Sequence, residues 1–105
     1  MSDKKFRDQV REARFELKKK SYREIQEETA WKWAARAAAS YENVGTLEGP
    51  VKFETYLLGQ EYEHEAIEHA ALISDPDVNL VKEVQEALES FQLEAWHELQ
   101  LAFFT

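Results

Sequence analysis

The chain has no cysteine, which excludes a disulfide framework and any metal site built on thiolates. Three glycines and two prolines in 105 residues leave little to interrupt a helix and no glycine-rich loop to cradle a phosphate. No apolar run approaches the ~20 residues needed to cross a bilayer, and the opening MSDKKFRDQV carries charges where a signal peptide needs an apolar core. A cytoplasmic protein without a membrane segment is expected. Histidine is also scarce: three residues, all on acidic stretches and none near a Gly-flanked serine, assemble no Ser-His-Asp arrangement. No catalytic motif is legible, and an enzymatic role is not expected.

What is present points to a folded helical domain. Hydrophobic residues make up 44% and aromatics 12%, too much apolar material for a disordered acidic tail. The length fits one domain, residues 1–105, with a core small enough that a partner subunit would help. Ala, Glu, Lys, Leu and Gln, all good helix formers, recur throughout. The net charge of −8 is unevenly spread: residues 1–36 carry eleven Lys/Arg against seven Asp/Glu (+4), and residues 37–105 carry two against fourteen (−12).

Periodicity predicts an all-α, small antiparallel bundle of three to four helices, about 3–20, 21–44, 50–73 and 76–104. Phe6, Val10, Ala13 and Leu17 recur at helical gaps. Ser21 stands three residues before Glu24, the capping-box spacing, and the apolar phase jumps to Tyr22 and Ile25. With no Gly or Pro between them, the first two segments are either separate helices or one helix with a bend near Lys20. The second segment offers Tyr22, Ile25, Thr29, Trp33, Ala37, Ser40 and Val44 on one face, with Trp31, Ala35 and Ala38 opposite. Its alanines allow neighbours to approach closely. Gly45 suits a left-handed helix end, Pro50 a first helical turn, and Asp75-Pro76 a cap followed by the start of the last helix. In that helix Val81, Val84, Leu88, Phe91, Ala95, Leu99 and Ala102 form the expected core face.

The stretch EYEHEAIEH, residues 61–69, holds the main chemical question. On a helical wheel His64 falls in an arc with Phe53, Leu57, Ile67 and Ala71, with Glu61 and Glu68 at its edge. That arc predicts an inward Glu61-x-x-His64 unit and leaves Glu63 and His69 outside. Glu94-x-x-His97 repeats the spacing on the last helix. Such paired units resemble the ligand sets of ferritin-like di-iron or di-manganese bundles, and the resemblance implies iron, manganese or zinc held by Glu61, His64 and Glu68, with Glu94 and His97 as a second half. Against this, Glu94 and His97 point away from the Leu88/Ala95/Leu99 face, so a site would have to be assembled across an oligomer. The plainer reading is a set of hydrogen-bonded or partly exposed histidines and no cofactor. HEAIEH is not a zinc-protease motif, because its histidines are five residues apart.

The stretch SYREIQEETAWKWAARAAASY resembles the helix-turn-helix element of bacterial transcription factors at Ser21, Tyr22, Glu24, Ile25 and Thr29. It departs from the pattern where Ala30 replaces the turn glycine and where the recognition helix becomes nearly all alanine. Lys18, Lys19 and Lys20 add to a basic N-terminal segment, but the acidic remainder would repel a polyanion, and no nucleic-acid site is assigned.

The end of the chain, LEAWHELQLAFFT, is apolar nearly all round: Leu93, His97, Leu101 and Phe104 lie opposite Ala95 and Leu99, with Trp96 and Phe103 between. One small bundle covers one side of such a helix, so this end is expected to meet a partner. The sequence therefore predicts an interaction or structural protein acting through self-association, as a dimer or higher homo-oligomer, or through a protein partner.

Overall fold

The computed structural model describes residues 2–104, with side chains placed at positions 7–10 and 22–104. It contains three helices, α1 (Ser2–Val44), α2 (Pro50–Ile73) and α3 (Leu80–Phe103), running up, down and up around one core. The all-helical antiparallel bundle is as expected. No helix among the described residues is long and apolar enough to cross a membrane.

The first two anticipated segments are one helix. No break occurs at Ser21, so the capping-box spacing there caps nothing. Arg23 reaches the Ile73 carbonyl at 3.2 Å and the Asp75 carboxylate at 3.4 Å, which places Arg23 level with the end of α2. The part of α1 before Tyr22 thus extends about 30 Å beyond the bundle at 1.5 Å per residue, and the molecule measures 79 × 27 × 14 Å. The jump in apolar phase falls level with the end of α2, but Tyr22 and Ile25, which carry the new phase, are exposed, and the buried stripe begins only at Ala30. Arg7, Asp8, Gln9 and Val10 on this extension are exposed; Phe6, Ala13, Leu17 and the Lys18–Lys20 run lie outside the described side chains.

Inside the bundle, α1 buries Ala30, Ala34, Ala37, Tyr41 and Val44, a stripe with gaps of four, three, four and three. Only Ala37, Ser40 and Val44 of the expected face are buried; Tyr22 and Ile25 are more than half exposed. The reason is close approach. α2 turns Tyr56, Gly59, Ala66 and Ala70 toward α1 and α3, and a seam of small residues lets backbones come nearer than a seam of large ones. A Cβ on Gly59 would stand 2.6 Å from Cε1 of Tyr41, so that glycine is the space the tyrosine ring occupies. α3 contributes Leu80, Val84, Leu88, Ala95 and Leu99, with Val81 and Phe91 partly buried and Ala102 exposed.

The connections also differ from expectation. Gly45 is not left-handed; among the described residues it is Gly49 that has a positive φ, at 71°, immediately before Pro50 in the first turn of α2. Asp75 is not a helix cap. Its carboxylate accepts from the backbone N–H groups of Val78 at 2.8 Å and Asp77 at 2.9 Å, closing a turn that delays α3 to Leu80, where Asn79 caps by accepting from Lys82 N–H at 3.0 Å. Those two N–H groups, with Arg23 adding less, hold the Asp75 carboxyl below its ordinary pKa. Its contribution to the turn is therefore present above the ordinary aspartate range and lost as pH falls through the lowered value. Ser74 spans the same turn, donating to the Ala70 carbonyl at 2.7 Å and accepting from Leu80 N–H at 3.1 Å.

Candidate functional site

The histidine stretch of α2 is turned differently from its wheel reading. His64 sits with Nε2 2.9 Å from Glu68 Oε1, the two side chains being 70% and 58% exposed, and Glu61 is exposed beside them. The inward arc fails because large apolar residues ring α2 on several sides, and tight packing selects Gly59, Ala66 and Ala70 rather than Phe53, Leu57 and Ala71, all of which face solvent. Glu94 and His97 are exposed on α3, pointing away from Leu88 and Leu99. The structure thus brings His64 and Glu68 together but gathers no group of three or more His, Asp or Glu residues suited to a metal ion among the described residues. His69, expected on the outer arc, is half-buried with Nδ1 2.6 Å from Oε1 of Gln26 on α1.

The inward carboxylate is Glu63. The Tyr41 hydroxyl donates to its Oε1 at 3.3 Å, and the Tyr41 ring packs 5.6 Å from Tyr56, which in turn lies 5.9 Å from Trp96. The Tyr56 hydroxyl accepts from Gln92 Nε2 at 2.6 Å, so this ladder of rings ties all three helices together. Burial raises the Tyr41 phenol pKa, and the nearby Glu63 charge raises it further. Burial likewise raises that of Glu63, with the Tyr41 hydrogen bond pulling it partway back. The sign follows from linkage: a carboxyl whose folded pKa lies above its unfolded one favours the folded state below the unfolded value of 4.5, and that advantage is lost as pH rises through the folded pKa. Glu63→Gln, which keeps an acceptor for Tyr41, is expected to leave stability unchanged below that range and raise it at neutral pH. Urea midpoints of both proteins across the pH range check this; parallel curves would refute it.

The would-be helix-turn-helix has no turn. Ala30 lies within α1 and is fully buried against the bundle, and Arg36, in the would-be recognition helix, packs over the Trp33 ring at 4.8 Å. Two helices crossing at an angle, which that resemblance implies, are not present in this stretch.

The apolar end of α3 is where the exposed hydrophobic surface concentrates. Leu93, Trp96, Leu101, Phe103 and Phe104 are all exposed, Phe104 by 76%, and His97 lies on the same exposed part of the helix. The start of α2 adds Val51 and Phe53. Between them runs a cleft of about 420 Å³ lined by Pro50, Phe53, Trp96, Leu99, Phe103 and Phe104, with Glu54 as its one charged member. Leu99 forms the buried floor. The surface is mostly apolar, with Glu54 in the cleft and His97 on the same part of α3 as its ionisable groups. Periodicity points to the α3 half of this surface; it sends Phe53 inward and assigns no role to Val51. Compared with family models, curated proteins and solved structures, this chain matches none of them.

Proposed function

We propose that this protein is an interaction module that works by self-association, as a dimer or higher homo-oligomer, through the apolar end formed by α2 and α3. The observation that supports this reading most is the cleft between Phe53 and Phe103, with Trp96 and Phe104 exposed at its edge. A second copy that covers this surface removes several large side chains from water at about 1.5–3 kcal/mol for each one fully buried. That is enough in sum to offset much of the cost of association. With no cysteine and so no disulfide to reduce, the module would be unaltered by a reducing cytoplasm.

Charges placed at the surface of this end should separate the copies without unfolding them. Leu101→Glu/Phe104→Glu is expected to give a monomer with unchanged helical circular dichroism, because both positions are at least half exposed in the single chain. An unfolded double variant would place these side chains in the chain's own core instead. A wild type that sediments as a monomer at every concentration would overturn the proposal.

A further inference from the structure

α1 is one continuous helix, so the segment that overhangs the bundle cannot fold back onto its own α2. In the sequence this segment carries two adjacent rows at helical spacing: the apolar row Phe6, Val10, Ala13, Leu17 and the basic row Lys4, Arg7, Arg11, Arg14, Lys18. On a helical wheel of the sequence the basic row falls roughly a quarter turn from the apolar one, in the direction of increasing residue number. The outward side of α2 has the same layout with opposite charge. Phe53, Leu57 and His64 are exposed along one row, and Glu54, Glu61, Glu65 and Glu68 follow a second row about a quarter turn further in the same sense. Among the described residues no salt bridge supplies a cation to Glu54, Glu61 or Glu65. A cleft of about 750 Å³ opens there, between Trp33 on α1 and Leu57, Glu61 and His64 on α2.

Charge and length both match. Residues 2–20 hold eight Lys/Arg and four Asp/Glu, a net of +4, and α2 holds one Lys and five Glu, a net of −4. The overhang is about 30 Å long and α2 about 36 Å, at 1.5 Å per residue. Handedness then sets the direction. Two right-handed helices whose charged rows lie on the same rotational side of their apolar rows bring those rows together only when they run antiparallel. The chain's own α1 already runs antiparallel to α2.

We propose that the N-terminal extension of α1 docks antiparallel along the outward face of α2 of a second copy, so that copies associate head to tail. This rests on the self-association reading above and identifies the segment of the second copy that makes the contact. The same arrangement sets the two ends of the bundle toward each other. Tyr22, Ile25, Leu72 and Val78, all more than half exposed at the Arg23 end, then face the Phe103 and Phe104 end of the next copy. Because donor and acceptor surfaces differ and each copy is displaced along the helix axis from the one before, the contact repeats without closing into a ring, and a ladder of oligomers follows.

Sedimentation of the full chain over a concentration series tests the orientation. Wild type is expected to grow past twice its 12.3 kDa mass, and to fall back as salt screens the charged rows. Arg7→Glu/Val10→Glu removes the donor and Phe53→Glu/Leu57→Glu the acceptor; all four residues are exposed, and circular dichroism verifies that both variants fold. Alone, each should associate at least about tenfold more weakly than wild type. Mixed one to one, they should form a heterodimer and nothing larger, since one intact donor meets one intact acceptor. The milder Arg7→Gln/Arg11→Gln/Arg14→Gln should weaken association in the same direction. A closed wild-type dimer broken by Leu101→Glu/Phe104→Glu but indifferent to Arg7→Glu/Val10→Glu would overturn the head-to-tail contact and leave self-association standing. A monomeric wild type would overturn both.

Discussion

Tyr41→Ala should cost about 3–5 kcal/mol, the range for removing a large aromatic from a packed core, and so a large share of the roughly 5–15 kcal/mol that ordinarily holds a domain together. Tyr41 is 2% exposed, packs at a tilt against Tyr56 and fills the space left by Gly59. Tyr41→Phe, which keeps the ring and loses the bond to Glu63, should cost only about 0.5–1.5 kcal/mol. Gly59 supplies the control. In the wild type, Gly59→Ala gains about 1 kcal/mol of helix propensity but drives its Cβ to 2.6 and 2.7 Å from the tyrosine ring, an overpacking that costs about 1–3 kcal/mol. In the Tyr41→Ala background the clash is gone and the same substitution should stabilise. Urea denaturation of the four proteins measures the coupling; additive effects would show that ring and glycine do not compete for one space.

Leu88→Ala should cost about 2–5 kcal/mol, because Leu88 is 2% exposed on the core face of α3 and its truncation leaves a cavity there. Leu93→Ala, further along the same helix, changes the same residue type at a site 55% exposed, and its effect on the stability of the single chain should stay within about 0.5 kcal/mol. The contrast separates core from docking surface by thermal or urea unfolding at low protein concentration. Equal losses would mean that Leu93 is buried in the folded unit.

α3 shows where periodicity suffices. Although the helix is apolar nearly all round toward its end and Ala102 of the expected face is exposed, spacing alone marks Val84, Leu88, Ala95 and Leu99 as core and sets Glu94 and His97 outward. α2 shows where it fails. Phe53, Leu57, Tyr56, Tyr62 and Ile67 surround the helix, and a wheel weighted toward large apolar side chains selects an arc that includes His64. Packing distance favours instead the side bearing Gly59, Ala66 and Ala70. The metal reading depends on that arc: with it reversed, His64 and Glu68 are an exposed pair, and Glu63, which the wheel sends to solvent, is the inward carboxylate.

The stretch of α1 around Ser21 is a case of the same kind. Ser21 and Glu24 have the spacing of a cap, yet a cap is needed only where a helix begins, and nothing in the local residues stops the one already running. Tyr22 and Ile25, which carry the change of apolar phase, are exposed, and it is Arg23 between them that meets the end of α2, fifty residues away.

Helical content, the short connection around Pro76, the start of α2 at Pro50, the split of charge between the first third and the rest, and the apolar end of α3 are all set by local residues. They depend on propensity and composition, which each segment carries independently of its neighbours. Packing between helices settles the remainder: which side of α2 is buried, that α1 is unbroken and overhangs the bundle, and that α3 waits for Asn79 before it begins. Each of those turns on how closely two backbones approach or where a neighbouring helix ends, and such distances belong to pairs of segments, so no single segment's spacing records them.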